Sequence, residues 1–290
     1  MRTTISTTAA EMTFGVEIET TVSQTAAEQN GLRIGFYRYG KQVSYLPSGW
    51  IAEHDCSVET RGFGRTNCEI ISPILKGADG LAQVADVVAV LGTKSHTVNK
   101  TCGVHVHVGW DRTWPSEVLA RLITIVAYVE KGLYAITGSK NRERGSYCGG
   151  IRKYGKQKDA KTRLDRNRYH VLNVQNLAIG GKSTVEFRAF SGSLDAAKII
   201  GWIQVCLGLV ERSLICNRMP SWSPKPLTGG WKKGGPGASE AERLMGYLAW
   251  GAGYARIHGG KRYGWISDII PQKTVKETFR RLAKKYDEQP

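Results

Sequence analysis

CGVHVHVGW, residues 102–110, sets His105 and His107 two positions apart among Val104, Val106 and Val108. Strict alternation is the period of a half-buried β-strand, whose successive side chains point to opposite faces. The valines take one face and the imidazoles the other. A ring nitrogen costs free energy to bury without a partner, so the pair asks what stands opposite it. Two further strands repeat the pattern. MTFGVEIETTV (12–22) puts Glu17 and Glu19 on one side of a strand, and VEFRAF (185–190) spaces Glu186 and Arg188 in the same way. Glu69 in CEIISP and Asp55 in EHDCS add two acidic residues at hairpin strands.

The rest of the chain supplies the frame. GWIAEHDCSVE and CEIISPIL, joined through the Gly-rich RGFGRTN, read as a hairpin. DGLAQVADVVAVLG has helical spacing and stops at Gly92, a helix terminus. A long helix enters at Pro115 or Ser116 and ends near Gly138. RYHVLNVQNLAIGGKSTVEFRAF reads as two strands about a Gly180-Gly181 turn. SLDAAKIIGWIQVCLGLVERSLIC is a second long apolar helix, with Ser193 or Asp195 as its cap. WSPKPLTGGWKKGGPG is a Pro/Gly-rich linker, and two shorter helices over 238–253 and 272–287 finish the chain. Strand, hairpin, helix, strand, helix, hairpin, helix is an α+β order. It implies a largely antiparallel sheet with helices on one face.

If these strands share one sheet, a single face holds five carboxylates and two imidazoles. Like charges so close repel strongly at low dielectric. An oxygen-rich set with one or two histidines suits Mg²⁺ or Mn²⁺ better than Zn²⁺, since the thiols lack paired spacing. Any one pair is also the ordinary solvated side of an antiparallel strand, and spacing alone leaves both readings open.

Composition narrows the class. Of 290 residues, 41% are hydrophobic and 23% charged, the balance of a folded globular chain. No apolar run is long enough to span a membrane, and the N-terminus lacks a secretory core, which points to the cytoplasm. Six cysteines without a CxxC pair read as reduced thiols. The net charge is +16, and half of the excess sits in residues 138–168, which read as a mobile basic loop. Arg142, Arg144, Arg166 and Arg168 there are candidates for nucleotide phosphates or a substrate carboxylate, or simply a solvated surplus. Trp50, Trp110 and Trp202 read as core residues, and Gly62, Gly64, Gly180 and Gly181 as turn formers; no P-loop occurs.

Taken together, FGVEIE (14–19), Asp55 and Ser57, EIISPIL (69–75), CGVHVHVG (102–109), LNVQNL (172–177) and TVEFRAFSGSLD (184–195) resemble the amidoligase family of the glutamine synthetase-like carboxylate–amine ligase superfamily. The motifs occur in family order across residues 13–215. The resemblance implies a curved, mostly antiparallel sheet of glutamine synthetase-like type with helices on its outer face. It implies a catalytic domain over 1–217 and a C-terminal piece, 218–290, packed upon it. It also implies ATP and Mg²⁺ (or Mn²⁺) as cofactors and an acyl phosphate that an amine displaces to form an amide or isopeptide bond.

By the same resemblance, Glu17, His105 and Glu186 are ligands of the metal that orients the ATP phosphates. Glu19, Glu69 and Asp55 are ligands of the metal near the acyl phosphate, with Glu53 and Glu59 as alternatives to Asp55. Arg188 sits over the transferring phosphoryl group. His107 touches nucleotide or substrate, with Asn173, Arg166 and Arg168 near the same site. Substrates in this reading are amino acids, peptides, cell-wall peptides or an amine on a larger polymer. A polyanionic or nucleic-acid-linked substrate would suit the charge. Two competing readings are a nucleic-acid-binding protein, which leaves the carboxylate face unexplained, and a metal-dependent hydrolase using the same acidic site. Site motifs do not fix an oligomeric state.

Overall fold

Strand β1 (Thr13–Ser23) runs through the interior of the sheet, with Val16, Ile18 and Val22 buried on one side and Glu17 and Glu19 on the other. The computed structural model describes residues 7–60, 64–216, 222, 236–248 and 265–289. Flanking β1 are β4 (Arg65–Ile71) and β6 (Gly103–Gly109). Beyond β4 lie β3 (Ile51–Glu53) and β2 (Lys41–Gln42); beyond β6 lie β8 (Thr184–Ser191) and β7 (Leu172–Asn173). The short β5 (Leu75–Lys76) pairs with the start of β1. All pairings among these strands are antiparallel, as the element order implied.

The valine face is the core face. Val104, Val106 and Val108 are fully buried, and helices α2 (Gly77–Thr93), α3 (Ser116–Ala135) and α7 (Ala196–Ile215) form the layer behind the sheet. Asp195 caps α7, its carboxylate accepting from Lys198 N at 3.2 Å. Because α7 is buried on every side, it is a central helix rather than a surface one. Its outer side carries α9 (Gln272–Asp287), which also meets α8 (Pro236–Tyr247), and α8 lies against α3.

A bulge shapes β8. Val104 pairs with Phe190 but Val106 with Phe187, so β8 carries one residue more than its partner. The extra residue returns Phe187 and Phe190 to the same buried face, where strict alternation would separate them. Phe190 then stacks on Trp202 with ring centroids 5.0 Å apart. Trp50 and Trp202 are wholly buried and Trp110 nearly so, as their reading as core residues expected.

Three expectations change. The basic stretch is ordered helix and turn rather than a loop: α4 (Asn141–Arg144), a 3-10 turn (Ser146–Cys148) and α5 (Gln157–Leu164). Buried anchors that its charge conceals tie it down. Arg142, Cys148, Ile151, Ala160 and Leu164 are buried, and the Glu130 carboxylate on α3 accepts from Ile151 N at 2.7 Å and Arg152 N at 3.1 Å. The β7–β8 connection is not a two-residue turn, since α6 (Gln175–Ala178) intervenes, begun by Asn173 Oδ1 accepting from Gln175 N. Helix α2 passes Gly92 and ends one residue later. Residues 223–235 of the Pro/Gly-rich linker, Gly62 and the end of the helix expected over 238–253 lie outside the described residues.

Candidate active site

Strand register assembles the polar face. Glu53, Glu69 and Glu19 stand side by side across β3, β4 and β1. Glu17 faces His105 on β6, while His107 faces Glu186 on β8, which in turn faces Asn173 on β7. Residues scattered over more than 150 positions thus meet because each lies on the off-core parity of its strand.

His105 is the hub. Its Nδ1 lies 3.2 Å from Glu17 Oε2, 3.6 Å from Glu186 Oε1 and 3.9 Å from Glu69 Oε1, and its Nε2 lies 3.4 Å from Glu19 Oε1. His107 Nε2 approaches Glu17 Oε1 to 3.0 Å. The donor atoms fall into three overlapping groups: Glu17, His107 and Glu186; Glu17, Glu69 and His105; Glu19, Asp55 and Glu69. Within each group they lie within 4.8 Å of one another. The third group is the set the family resemblance assigned to one metal. The first seats His107, rather than His105, with Glu17 and Glu186.

The carboxylates are individually aimed. Gly103 N donates to Glu19 Oε2 at 2.5 Å, Ser57 N to Asp55 Oδ1 at 2.7 Å, and Asn173 Nδ2 to Glu186 Oε2 at 2.6 Å. Asn173 therefore does two things at once, starting α6 and orienting Glu186. Arg188 pairs with Glu186 Oε1 and donates from Nε to Tyr147 O at 3.3 Å. Glu53 instead accepts from Arg38 N at 3.1 Å, and Glu59 is exposed with its backbone bonded to Thr101 and Asn99. Of the three acidic residues open at this position, Asp55 is the one in a donor group.

Electrostatics divide the face. Burial pushes Glu69 up, and Glu17, Glu19, Asp55 and Glu53 push it further, well above the usual carboxylate range. Burial also opposes ionisation of Glu17, but His107 and His105 outweigh it and hold Glu17 well below that range. Glu186 is held low against its burial by Arg188, then His107 and His105.

The residues fit divalent cations. Nε2 of His105 and of His107 are buried without a hydrogen bond, the Glu17 contact lacking the required geometry. Buried ring nitrogens normally find a partner. Here they point among carboxylate oxygens; two of the groups hold one histidine each and the third holds carboxylates alone, an oxygen-rich set that is Mg²⁺ or Mn²⁺ chemistry.

The basic residues separate. Arg168 reaches the face: Glu186 acts on it electrostatically, and its Nη1 donates to Tyr37 OH at 3.3 Å. Arg142 is buried, its Nη2 donating to Arg188 O at 2.7 Å in the space that Gly103 leaves open. Arg166 is exposed, with only its carbonyl bonded toward α6, and Arg144 sits on the far side of α4 near Tyr286. Two residues went unread in the sequence. Tyr37 belongs to GFYRYG (35–40), whose aromatics between glycines were the available signal. Lys182 acts on both Glu53 and His107, and counting by twos from Glu186 through Thr184 would have placed it on this face.

The profile of the family described as "Putative amidoligase enzyme" matches residues 10–164 and 151–210, and the chain belongs to that family. Among solved structures, PafA in its complex with the prokaryotic ubiquitin-like protein Pup, whose ligase it is, aligns over 94% of this chain and 64% of its own at 8% identity and a TM-score of 0.46. The GmaS/ADP complex aligns over 94% of this chain and 68% of its own at 14% identity and a TM-score of 0.44. This chain thus spans under two thirds of the length of the PafA chain. No curated protein matches the sequence. Among the described residues no helix is long and apolar enough to cross a membrane.

Proposed function

We propose that this chain is an ATP- and Mg²⁺-dependent carboxylate–amine ligase that forms an amide or isopeptide bond through an acyl phosphate, releasing ADP and phosphate. The overlap of three donor groups on one face carries the reading, because divalent cations account for so many carboxylates around two imidazoles without hydrogen bonds at Nε2, and the family match favours a ligase over a hydrolase at such a site. Glu17, His105, His107 and Glu186 would hold the ion nearer the nucleotide, and Glu19, Asp55 and Glu69 the ion nearer the substrate. When bound, Mg²⁺ and ATP supply the phosphoryl group and the charge neutralisation that make a carboxylate electrophilic.

The chain's own residues position and shield. Arg188, beside Glu186, offers its guanidinium to the transferring phosphoryl oxygens. Gly103 N–H, Ser57 N–H and the Asn173 amide fix three of the carboxylates before any ion arrives. The Tyr37–Arg168 bond crosses part of the mouth and limits the water that would hydrolyse an activated acyl group. The catalytic unit is residues 1–217, and the described helices of 218–290 brace it. Amino acids, peptides and cell-wall peptides are the substrate range to test.

The test is incubation with ATP, Mg²⁺ and a pool of amino acids and peptides, following nucleotide products and new amide masses. ADP with a new amide mass is expected. AMP would overturn the acyl-phosphate route, and phosphate release with cleavage products but no amide would make the site a hydrolase. Glu17→Gln and Glu186→Gln should each abolish turnover in a folded protein; full activity in either overturns the ligand assignment.

A further inference from the structure

The turn GFYRYG (35–40) presents Phe36, Tyr37 and Tyr39 at 81%, 54% and 74% exposure. Apolar rings in water forgo the stabilisation that burial would give them, yet this turn is built to hold them out. Tyr39 N donates to Phe36 O at 2.8 Å, Gly35 N to Ala52 O at 2.9 Å, and Arg38 N to the Glu53 carboxylate at 3.1 Å. Arg38 adopts φ +67°, a left-handed conformation unusual for a residue with a side chain. Its guanidinium lies 5.3 Å from the Tyr37 ring centre.

From Tyr37 the surface continues to the opposite edge of the sheet. Arg168 donates to Tyr37 OH and lies 5.8 Å from the Tyr169 ring, which meets Tyr147 edge-on at 5.5 Å. Tyr169 and Tyr147 are 44% and 48% exposed. The turn bonds to β3, at one side of the sheet, and Arg168 leads into β7 at the other, so the ridge spans the mouth. Behind Arg168, Lys153 and Arg163 are exposed, both act on His170, and neither forms an ion pair among the described residues. The surrounding segment, 138–168, holds half of the chain's charge excess.

We infer that this ridge docks single-stranded nucleic acid across the mouth of the site. Only a polyanion whose units carry flat π-faces uses both features, stacking bases on exposed rings and pairing phosphates with Arg and Lys. An acidic peptide would use the cations and leave the rings without partners. Of the carboxylates that would repel phosphate, Glu19, Glu53, Glu69 and Glu186 are buried and Glu17 and Asp55 are half-buried. Docking stands apart from the ligase reading, and its test reads binding alone.

The experiment is fluorescence anisotropy of the full chain with labelled 20-mers of oligo(dT) and oligo(U), a duplex of the same length, and a polyglutamate peptide, each over a salt series. Both single strands should bind, more tightly than duplex or polyglutamate, with affinity falling steeply as salt rises. Phe36→Ala with Tyr39→Ala should weaken single-strand binding roughly tenfold or more with little change in salt slope. Lys153→Gln with Arg163→Gln should reduce that slope. Both pairs are exposed, so circular dichroism should show an unchanged fold. No single-strand binding at low salt, equal affinity for duplex or polyglutamate, or wild-type binding by the aromatic double variant would each overturn the inference.

Discussion

Glu69 is the carboxylate most opposed by its surroundings, by burial first and then by four acidic neighbours. At an effective dielectric near 20, two unit charges 4 Å apart repel by about 4 kcal/mol, so the face without cations works against the fold. Replacing Glu69 with Gln removes the cost of either ionising this group among its neighbours or protonating it to avoid them, while keeping the shape. We expect Glu69→Gln, in chelator, to melt above wild type by ~2–4 °C for each kcal/mol of repulsion relieved. Mg²⁺ or Mn²⁺ should raise the wild-type melting temperature by mass action and move the variant much less. A variant that melts lower than wild type in chelator and still gains the full metal shift would remove Glu69 from the site. Lys182 makes the complementary case, a cation acting on Glu53 and His107 from the β7–β8 connection. Lys182→Ala should raise the KM for the anionic substrate roughly tenfold, the scale of a lost hydrogen bond to a charged group. An unchanged KM would leave Lys182 as a surface charge.

Elements were legible where the signal is local. Alternation in β1, β6 and β8 told which side chains share a face, and that parity alone brings Glu17, Glu19, His105, His107 and Glu186 together. What stayed hidden depends on distant partners. The β8 bulge exists because Phe187 and Phe190 both find the core, and the basic stretch folds because Glu130 and Tyr134 on α3 bond its backbone. His96 is a third such contact, joining the α2–β6 connection to β1 and to the loop before β3. Its ring nitrogens meet Thr20 Oγ1 at 2.9 Å and Tyr45 OH at 2.8 Å, and burial, with Arg65 nearby, pushes its pKa down to about 4. An unfolded histidine takes a proton near pH 6.5. The resulting stability is full above that value and is lost as pH falls toward 4, amounting to about 3 kcal/mol between pH 7 and pH 4. Urea unfolding of wild type and His96→Gln across that range checks it: the variant starts lower at pH 7 but should lose less on acidification. Parallel losses would place the acid sensitivity elsewhere.

At the scale of the whole molecule, the site strands are braced by the basic segment and, through it, by the C-terminal helix. Arg142 bonds the backbone of Arg188, and its neighbour Glu143 accepts from Tyr286 on α9. Gln289, just past α9, accepts from Lys140 N at 2.9 Å and donates to Gly138 O at 2.7 Å, fixing the start of the same segment. Motif reading reached the sheet but not this bracing, because α9 carries no motif and its role lies in what it touches. That contact is close: a Cβ at Gly201 on α7 would lie 2.7 Å from Val275 Cγ1 and 2.8 Å from Phe279 Cζ. Only glycine lets the two helices approach so far, and Phe279 is fully buried there. Phe279→Ala empties the centre of the interface and should cost about 3–5 kcal/mol, while Gly201→Val should cost about 1–3 kcal/mol by overpacking. Both should speed proteolysis of the C-terminal helix, and both should lower turnover in proportion to the loss of docked α9 while leaving KM for ATP unchanged. If Phe279→Ala destabilised the chain as expected yet left the active fraction with wild-type turnover at low temperature, the outer helices would serve stability alone, and the polar face would be shaped by the sheet and α7 without help from the C-terminus.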